Sequence, residues 1–194
     1  MVNPFLCDFL DKAAVFIDGG YFKKVRENFG DPKVDFLRVS EDLCKRCSCE
    51  RFRTYIYDCA PYQSNPPTQN ERDKTQKFNV FYTTIKRLPS FEFRLGKLQK
   101  INKPDGSVTV QQKGVDILLT IDLVKLAATK TIQKAILITG DSDFVPAVKE
   151  ARELTKMTLF FNKGPKTGLS DDLRMAVDEC YELTKTDFDS WQIK

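Results

Sequence analysis

The chain contains no histidine at any of its 194 positions. That absence removes Ser-His-Asp and Cys-His triads, two-histidine ribonuclease chemistry and every histidine-ligated metal centre. Catalysis would have to rest on carboxylates, lysines and thiols. The chain also lacks any apolar run near the roughly 18 residues of a membrane span. Its first residues, Met1 to Lys12, carry Asp8 and Asp11 where a secretory leader would be basic. A soluble cytoplasmic protein with no membrane partner is expected. No glycine-rich Walker loop is present, which removes triphosphate hydrolysis of that type, and there is no internal repeat or low-complexity tract.

With 41% apolar residues, 30% charged residues and a net charge of +4, the chain is long enough for one well-buried core. One domain over 1–194, with its core at about 13–184, is expected. The mild positive charge permits a nucleic-acid partner without demanding one. Six cysteines are present, at 7, 44, 47, 49, 59 and 180. Thiolates spaced as Cys44, Cys47 and Cys49 can ligate zinc, with Cys59 as the only plausible fourth ligand. Lacking a second CxxC or a histidine, the cluster reads first as reduced structural thiols.

Apolar and helical patterns alternate along the chain. Strands are predicted at Ala13–Ile17, Phe52–Tyr57, Phe91–Leu95, Lys134–Thr139 and Met157–Phe161. Helices are predicted near Phe22–Asn28, Asp35–Cys47, Thr68–Arg87, Gly114–Ala128, Phe144–Leu154 and Ser170–Val177. Pro104-Asp105-Gly106 is turn chemistry between two polar arms, so 97–112 reads as a projecting β-hairpin. Strands separated by helices imply an α/β fold, a three-layer α/β/α sandwich around a mostly parallel sheet.

The run Lys134-Ala-Ile-Leu-Ile-Thr-Gly-Asp141-Ser142-Asp143-Phe-Val-Pro146 carries the most information. An apolar run of this kind suits a strand buried on both faces, and carboxylates at its carboxyl end sit at the rim where open α/β sheets bind ligands. Asp18, followed by Gly19 and Gly20, ends Ala13–Ile17 the same way, and the paired glycines would let a substrate backbone approach. Asp141 has no evident capping duty, whereas Asp143 also suits the N-cap of the helix containing Pro146. Asp58 closes Phe52–Tyr57 on the same rim, as a second-line residue with Ser142.

On the helix after Gly114, counting about 100° per residue from Asp116 places Thr120, Leu123 and Ala127 on its face, the one packed into the body. Asp122 and Lys125 then fall about 120° away or more. Asp122 reads as a solvent-side charge near Lys125, with a second-line site role. Asp116 reads either as a site carboxylate or as a charge favourable at a helix N-terminus.

Phe16-Ile17-Asp18-Gly19-Gly20-Tyr21, Lys113-Gly114-Val115-Asp116 with Ile121-Asp122-Leu-Val-Lys-Leu-Ala127, and Gly140-Asp141-Ser142-Asp143-Phe144-Val-Pro146 resemble, in order and spacing, the NYN domain family, LabA-like group. The resemblance covers about Ala13 to Leu183. It implies the PIN-like nuclease fold and a Mg²⁺- or Mn²⁺-dependent ribonuclease, with Asp18, Asp116, Asp141 and Asp143 on the family's acidic, metal-holding cluster. Gly20-Tyr21 stands where many relatives carry an asparagine.

The chemistry agrees. Phosphodiester hydrolysis needs an activated water and relief of charge on the phosphoryl oxygens, and carboxylate-held hard cations supply both. The expected products are a 5′-phosphate and a 3′-hydroxyl. Lys97, Lys100 and Lys103 on one hairpin arm, Lys113 at its base, and Lys163 and Lys166 beyond the last predicted strand could bind the phosphates of single-stranded or structured RNA. Two other readings stay open, a module that binds RNA without cutting it and a regulatory interaction module, and under any of the three the chain could form a homodimer.

Overall fold

The computed structural model describes residues 10–102 and 108–193, the side chains of 99–102 and 108–113 excepted. Among the described residues seven strands form one sheet: β1 (Asp11–Asp18), β2 (Cys49–Cys59), β3 (Phe91–Asn102), β4 (Val108–Lys113), β5 (Lys134–Ile138), β6 (Lys156–Phe161) and β7 (Glu179–Glu182). Their order is β4-β3-β2-β1-β5-β6-β7, and every pairing is parallel except β3 with β4. Ala13 to Ile17 are all fully buried because both faces of the sheet are covered.

The helices are α1 (Gly19–Asn28), α2 (Phe36–Arg46), α3 (Gln69–Lys86), α4 (Val115–Ala128), α5 (Val145–Arg152), α6 (Asp171–Ala176) and α7 (Lys185–Trp191). Local signals set their starts: Asp35 caps α2, and Thr68 with Glu71 makes a capping box at α3. One face of the sheet carries a core of Val15, Ile17, Phe22, Leu43, Ile85 and Trp191; the other carries Phe16, Tyr57, Leu119, Leu123 and Leu159. The structure is the three-layer sandwich expected from the sequence.

The hairpin is present. β3 pairs with β2 up to Gly96 and with β4 from Lys97 onward, so the hairpin begins where the β2 pairing stops. The turn at Pro104-Asp105-Gly106 lies outside the described residues, as does Lys103. Two elements were not legible in the sequence, β7 and α7, yet Phe188 and Trp191 of α7 are buried.

The register of β1 on β2 slips between Ala13↔Arg51 and Ala14↔Arg53. A one-residue slip reverses which face each later side chain meets. Cys49, before the slip, therefore packs with Cys44 and Cys47 on one face, while Cys59 packs on the other. The four sulfurs expected as the only plausible zinc set are divided by the sheet. Burial pushes the Cys47 thiol up to about 11, and Cys49 Sγ donates to the Cys44 carbonyl at 3.3 Å.

Candidate active site

The chain runs outward from β1 through β2 to β3, then crosses back to place β5 on the other side of β1. The carboxyl ends of β1 and β5 thus flank the topological switch point, where open α/β sheets leave a crevice. Asp18 ends β1 and caps α1, its Oδ1 accepting from the Tyr21 amide at 3.0 Å. Its Oδ2 accepts from Thr139 Oγ1 at 3.3 Å, and Thr139 Oγ1 accepts from the Asp141 amide at 3.3 Å. One buried hydroxyl therefore ties the two strand ends together.

A cleft of about 590 Å³ opens here, lined among others by Asp18, Gly20, Asp116, Asp141 and Lys166. Burial raises the Asp18 carboxyl to about 6, opposed by its bonds to Tyr21 and Thr139 and reinforced by the charges of Asp116 and Asp141. Asp116 is also raised, first by desolvation and then by Asp141 and Asp143. Three strand or helix ends thus bring four carboxylates close enough to feel one another.

Asp141, not Asp143, is the capping residue. Its Oδ1 accepts from the Asp143 amide at 3.0 Å and opens a single 3₁₀ turn, Ser142–Phe144, before α5. The proline after the turn fixes where α5 starts, but the tighter turn moves the cap two residues back. Ser142 is exposed and outside the cleft lining. Gly140 is required by packing, since a Cβ there would stand 2.1 Å from the Gly168 carbonyl oxygen and 2.5 Å from Tyr21 Cε2. Gly19 serves the same end: its Cβ would meet the Tyr57 carbonyl at 2.8 Å and Asp58 Oδ2 at 3.0 Å. Asp58 sits behind Gly19, accepts from the Cys59 amide at 2.7 Å and is raised by burial, outside the cleft lining.

Two placements on α4 differ from expectation. Asp116 is exposed at the first turn and reaches the cleft rather than packing into the body. Asp122 does not face solvent beside Lys125: its Oδ2 accepts from Tyr57 Oη at 3.0 Å and from Arg94 Nε at 3.0 Å. α4 is apolar nearly all round, so its periodicity held little information about which side is inward. Among the lysines, Lys97 is exposed on β3, Lys163 lies 5.9 Å over the Phe161 ring, and Lys166 pairs with Glu27 at 2.8 Å. The side chains of Lys100 and Lys113 lie outside the described residues. Sequence reasoning missed Thr139, Lys24 and Tyr21, whose hydroxyl accepts from the Asn162 amide at 3.0 Å and donates toward the Asn162 and Gly168 carbonyls. The polar residues flanking the two strand-ending acids, Thr139 before Asp141 and Tyr21 and Lys24 after Asp18, were the available signal.

A family model for the NYN domain matches residues 12–184. The chain belongs to the NYN domain family. That family lies within the PIN-like nuclease superfamily, and the sheet order and flanking helices of this NYN domain agree with a PIN-like sandwich. A crystal structure of a protein of unknown function from Vibrio parahaemolyticus is similar over 96% of this chain and 98% of that one, with a TM-score of 0.61 and 19% identity. A comparison with curated proteins finds no match. No helix among the described residues is long and apolar enough to cross a membrane.

Divalent ions are usual in this superfamily, and the donor set of this NYN domain suits them in kind. Asp18, Asp116, Asp141 and Asp143 offer oxygen alone, as hard cations prefer. Their side chains, as placed, do not close around a point: among the described residues no three His, Cys, Asp or Glu groups form a coordination cluster.

The raised Asp18 carboxyl gives a pH test. Its folded value of about 6 exceeds the ordinary aspartate value of 3.8, so the stability linked to its proton is present below about pH 4 and is lost as pH rises through about 6. With chelator at pH 7.5, Asp18→Asn keeps the α1 cap and removes the buried charge, a gain of roughly 2–3 kcal/mol. The melting temperature should rise by about 4–9 °C. At pH 4 the two proteins should melt together, and a variant less stable than wild type at pH 7.5 would refute the burial argument.

Proposed function

We propose that this NYN domain is a Mg²⁺- or Mn²⁺-dependent ribonuclease. The observation that supports it most is the meeting of Asp18, Asp116 and Asp141 in one cleft at the switch point, where burial and then the charges of Asp116 and Asp141 raise Asp18. Carboxylates so placed repel one another unless a cation lies among them. Asp18 and Asp141 would hold the ion directly, with Asp116 and Asp143 completing its shell or a second, weaker site. The ion, when bound, supplies an activated water and offsets charge on the phosphoryl oxygens. Thr139 fixes the Asp18 carboxylate against the Asp141 backbone, and Tyr21 holds the loop after β6 as the cleft's other border.

Labelled RNA incubated with the purified chain and Mn²⁺ or Mg²⁺ should be cut to fragments bearing 5′-phosphates, and chelation should stop the reaction. Asp141→Asn, which keeps the cap on the 3₁₀ turn, serves as the matched inactive protein. Metal-independent binding without cutting, across single-stranded and structured RNAs, would instead favour the binding-module reading.

A further inference from the structure

The cleft also has a cationic part. Lys24 of α1 and Lys166 and Ser170 of the segment between β6 and α6 line it together with the acids. That segment's shape is held by bonds within it and by bonds to Asn28 and Tyr21 of α1. Thr167 Oγ1 donates to Asn162 Oδ1 at 2.9 Å and accepts from Asn28 Nδ2 at 2.9 Å and from the Gly164 amide at 3.1 Å. The Lys166 amide donates to Asn28 Oδ1 at 3.3 Å, and Tyr21 donates to the Gly168 carbonyl. With these groups committed, the two ammonium groups remain for a ligand. Among the described residues Lys24 forms no ion pair, and Lys166 is held at 2.8 Å by Glu27 alone.

Asp18 and Asp116 are raised first by burial and then by other carboxylates, and Lys24 and Lys166 line the same cleft. The cleft therefore has an acidic part and a basic part. We infer that Lys24 and Lys166 seat a phosphate of single-stranded RNA neighbouring the one presented to Asp18, Asp116 and Asp141. This rests on the ribonuclease reading for what happens at the acids; the binding itself does not. Ammonium groups take phosphate as point charges and read no base, so the seat positions the strand without choosing its sequence. A cleft of about 590 Å³ has room for a nucleotide beside the acids. Glu27 keeps the Lys166 ammonium at the loop and competes with the phosphate for it.

The test uses the Asp141→Asn chain with Mg²⁺, so that binding of a fluorescent oligouridine is measured without cleavage. Lys24→Gln with Lys166→Gln should lower the slope of log Kd against log salt by about 0.7, the value for one phosphate neutralised on a single strand. Glu27→Gln should tighten binding. Lys45→Gln, at the C-terminal end of α2 where the chain enters β2, at the end of the strands opposite the cleft, should change neither. In the cleaving protein the lysine pair should raise KM by at least about fivefold and leave kcat within about twofold. An unchanged slope, or tighter binding of duplex than of single strand, overturns the seat. If wild type never cuts RNA but the slope falls, the ribonuclease reading fails and the seat stands; if it cuts and the slope holds, the seat alone fails.

Discussion

Asp116→Asn is expected to lower metal-dependent RNA cleavage by at least about a hundredfold while the protein stays folded, as when a positioned charge or acid-base group is lost. Two roles compete for this residue. As a charge at the first turn of α4 it would contribute only about 0.3 to 1 kcal/mol of stability, and its loss would leave cleavage nearly intact. The geometry favours the larger effect, because Asp116 lines the cleft and its carboxyl is raised by Asp141 and Asp143 as well as by burial. Lys125→Gln, on the exposed side of the same helix, separates general damage to α4 from loss of the carboxylate. Thermal melts and single-turnover cleavage would be read together. Asp116→Asn within about threefold of wild type would remove Asp116 from the reaction and leave it a helix-end charge.

The sheet was legible because strands buried on both faces are nearly continuous apolar runs, as Ala13–Ile17 and Lys134–Ile138 show. The acids at their ends were legible for the same reason, since a carboxylate closing such a run can only stand at the rim. α7 was not, because its burial rests on just two large side chains, Phe188 and Trp191, within seven residues. A signal did exist in Thr184 and Asp187, which form a capping box. The supporting contacts of the site were hidden for another reason. Tyr21 meets Asn162 across 141 positions and Thr139 meets Asp18 across 121, separations that no local pattern spans. The α4 faces were read rightly for Leu123 and Ala127, which are buried, and for Lys125, which is exposed, and wrongly for Asp116 and Asp122; with Ile117 and Ile121 exposed and Leu119 and Leu123 buried, apolar residues lie on both sides and only tertiary contacts decide.

That reassignment gives Asp122 a different expected phenotype. Its carboxylate joins α4 to two strands at once, through Tyr57 of β2 and Arg94 of β3. Tyr57 is fully buried beneath the helix, and burial together with the Asp122 charge holds its hydroxyl protonated, well above the ordinary tyrosine value. Asp122→Ala leaves that donor and the Arg94 guanidinium without their shared acceptor. Stranding a buried hydroxyl and one member of a half-buried ion pair costs about 2–4 kcal/mol, which corresponds to a melting temperature lower by roughly 5–15 °C for a chain of this length. Asp122→Asn keeps an acceptor oxygen and should lose less. Tyr57→Phe removes the donor, so its double variant with Asp122→Ala should fall short of the sum of the two single losses. Because Asp122 is outside the cleft lining, the molecules that remain folded at low temperature should cut RNA at nearly the wild-type rate. A melt within about 1 °C of wild type would show that the Tyr57 and Arg94 contacts carry no net energy. A full loss of cleavage in a well-folded Asp122→Ala protein would give Asp122 a place in the reaction beyond its contacts to Tyr57 and Arg94.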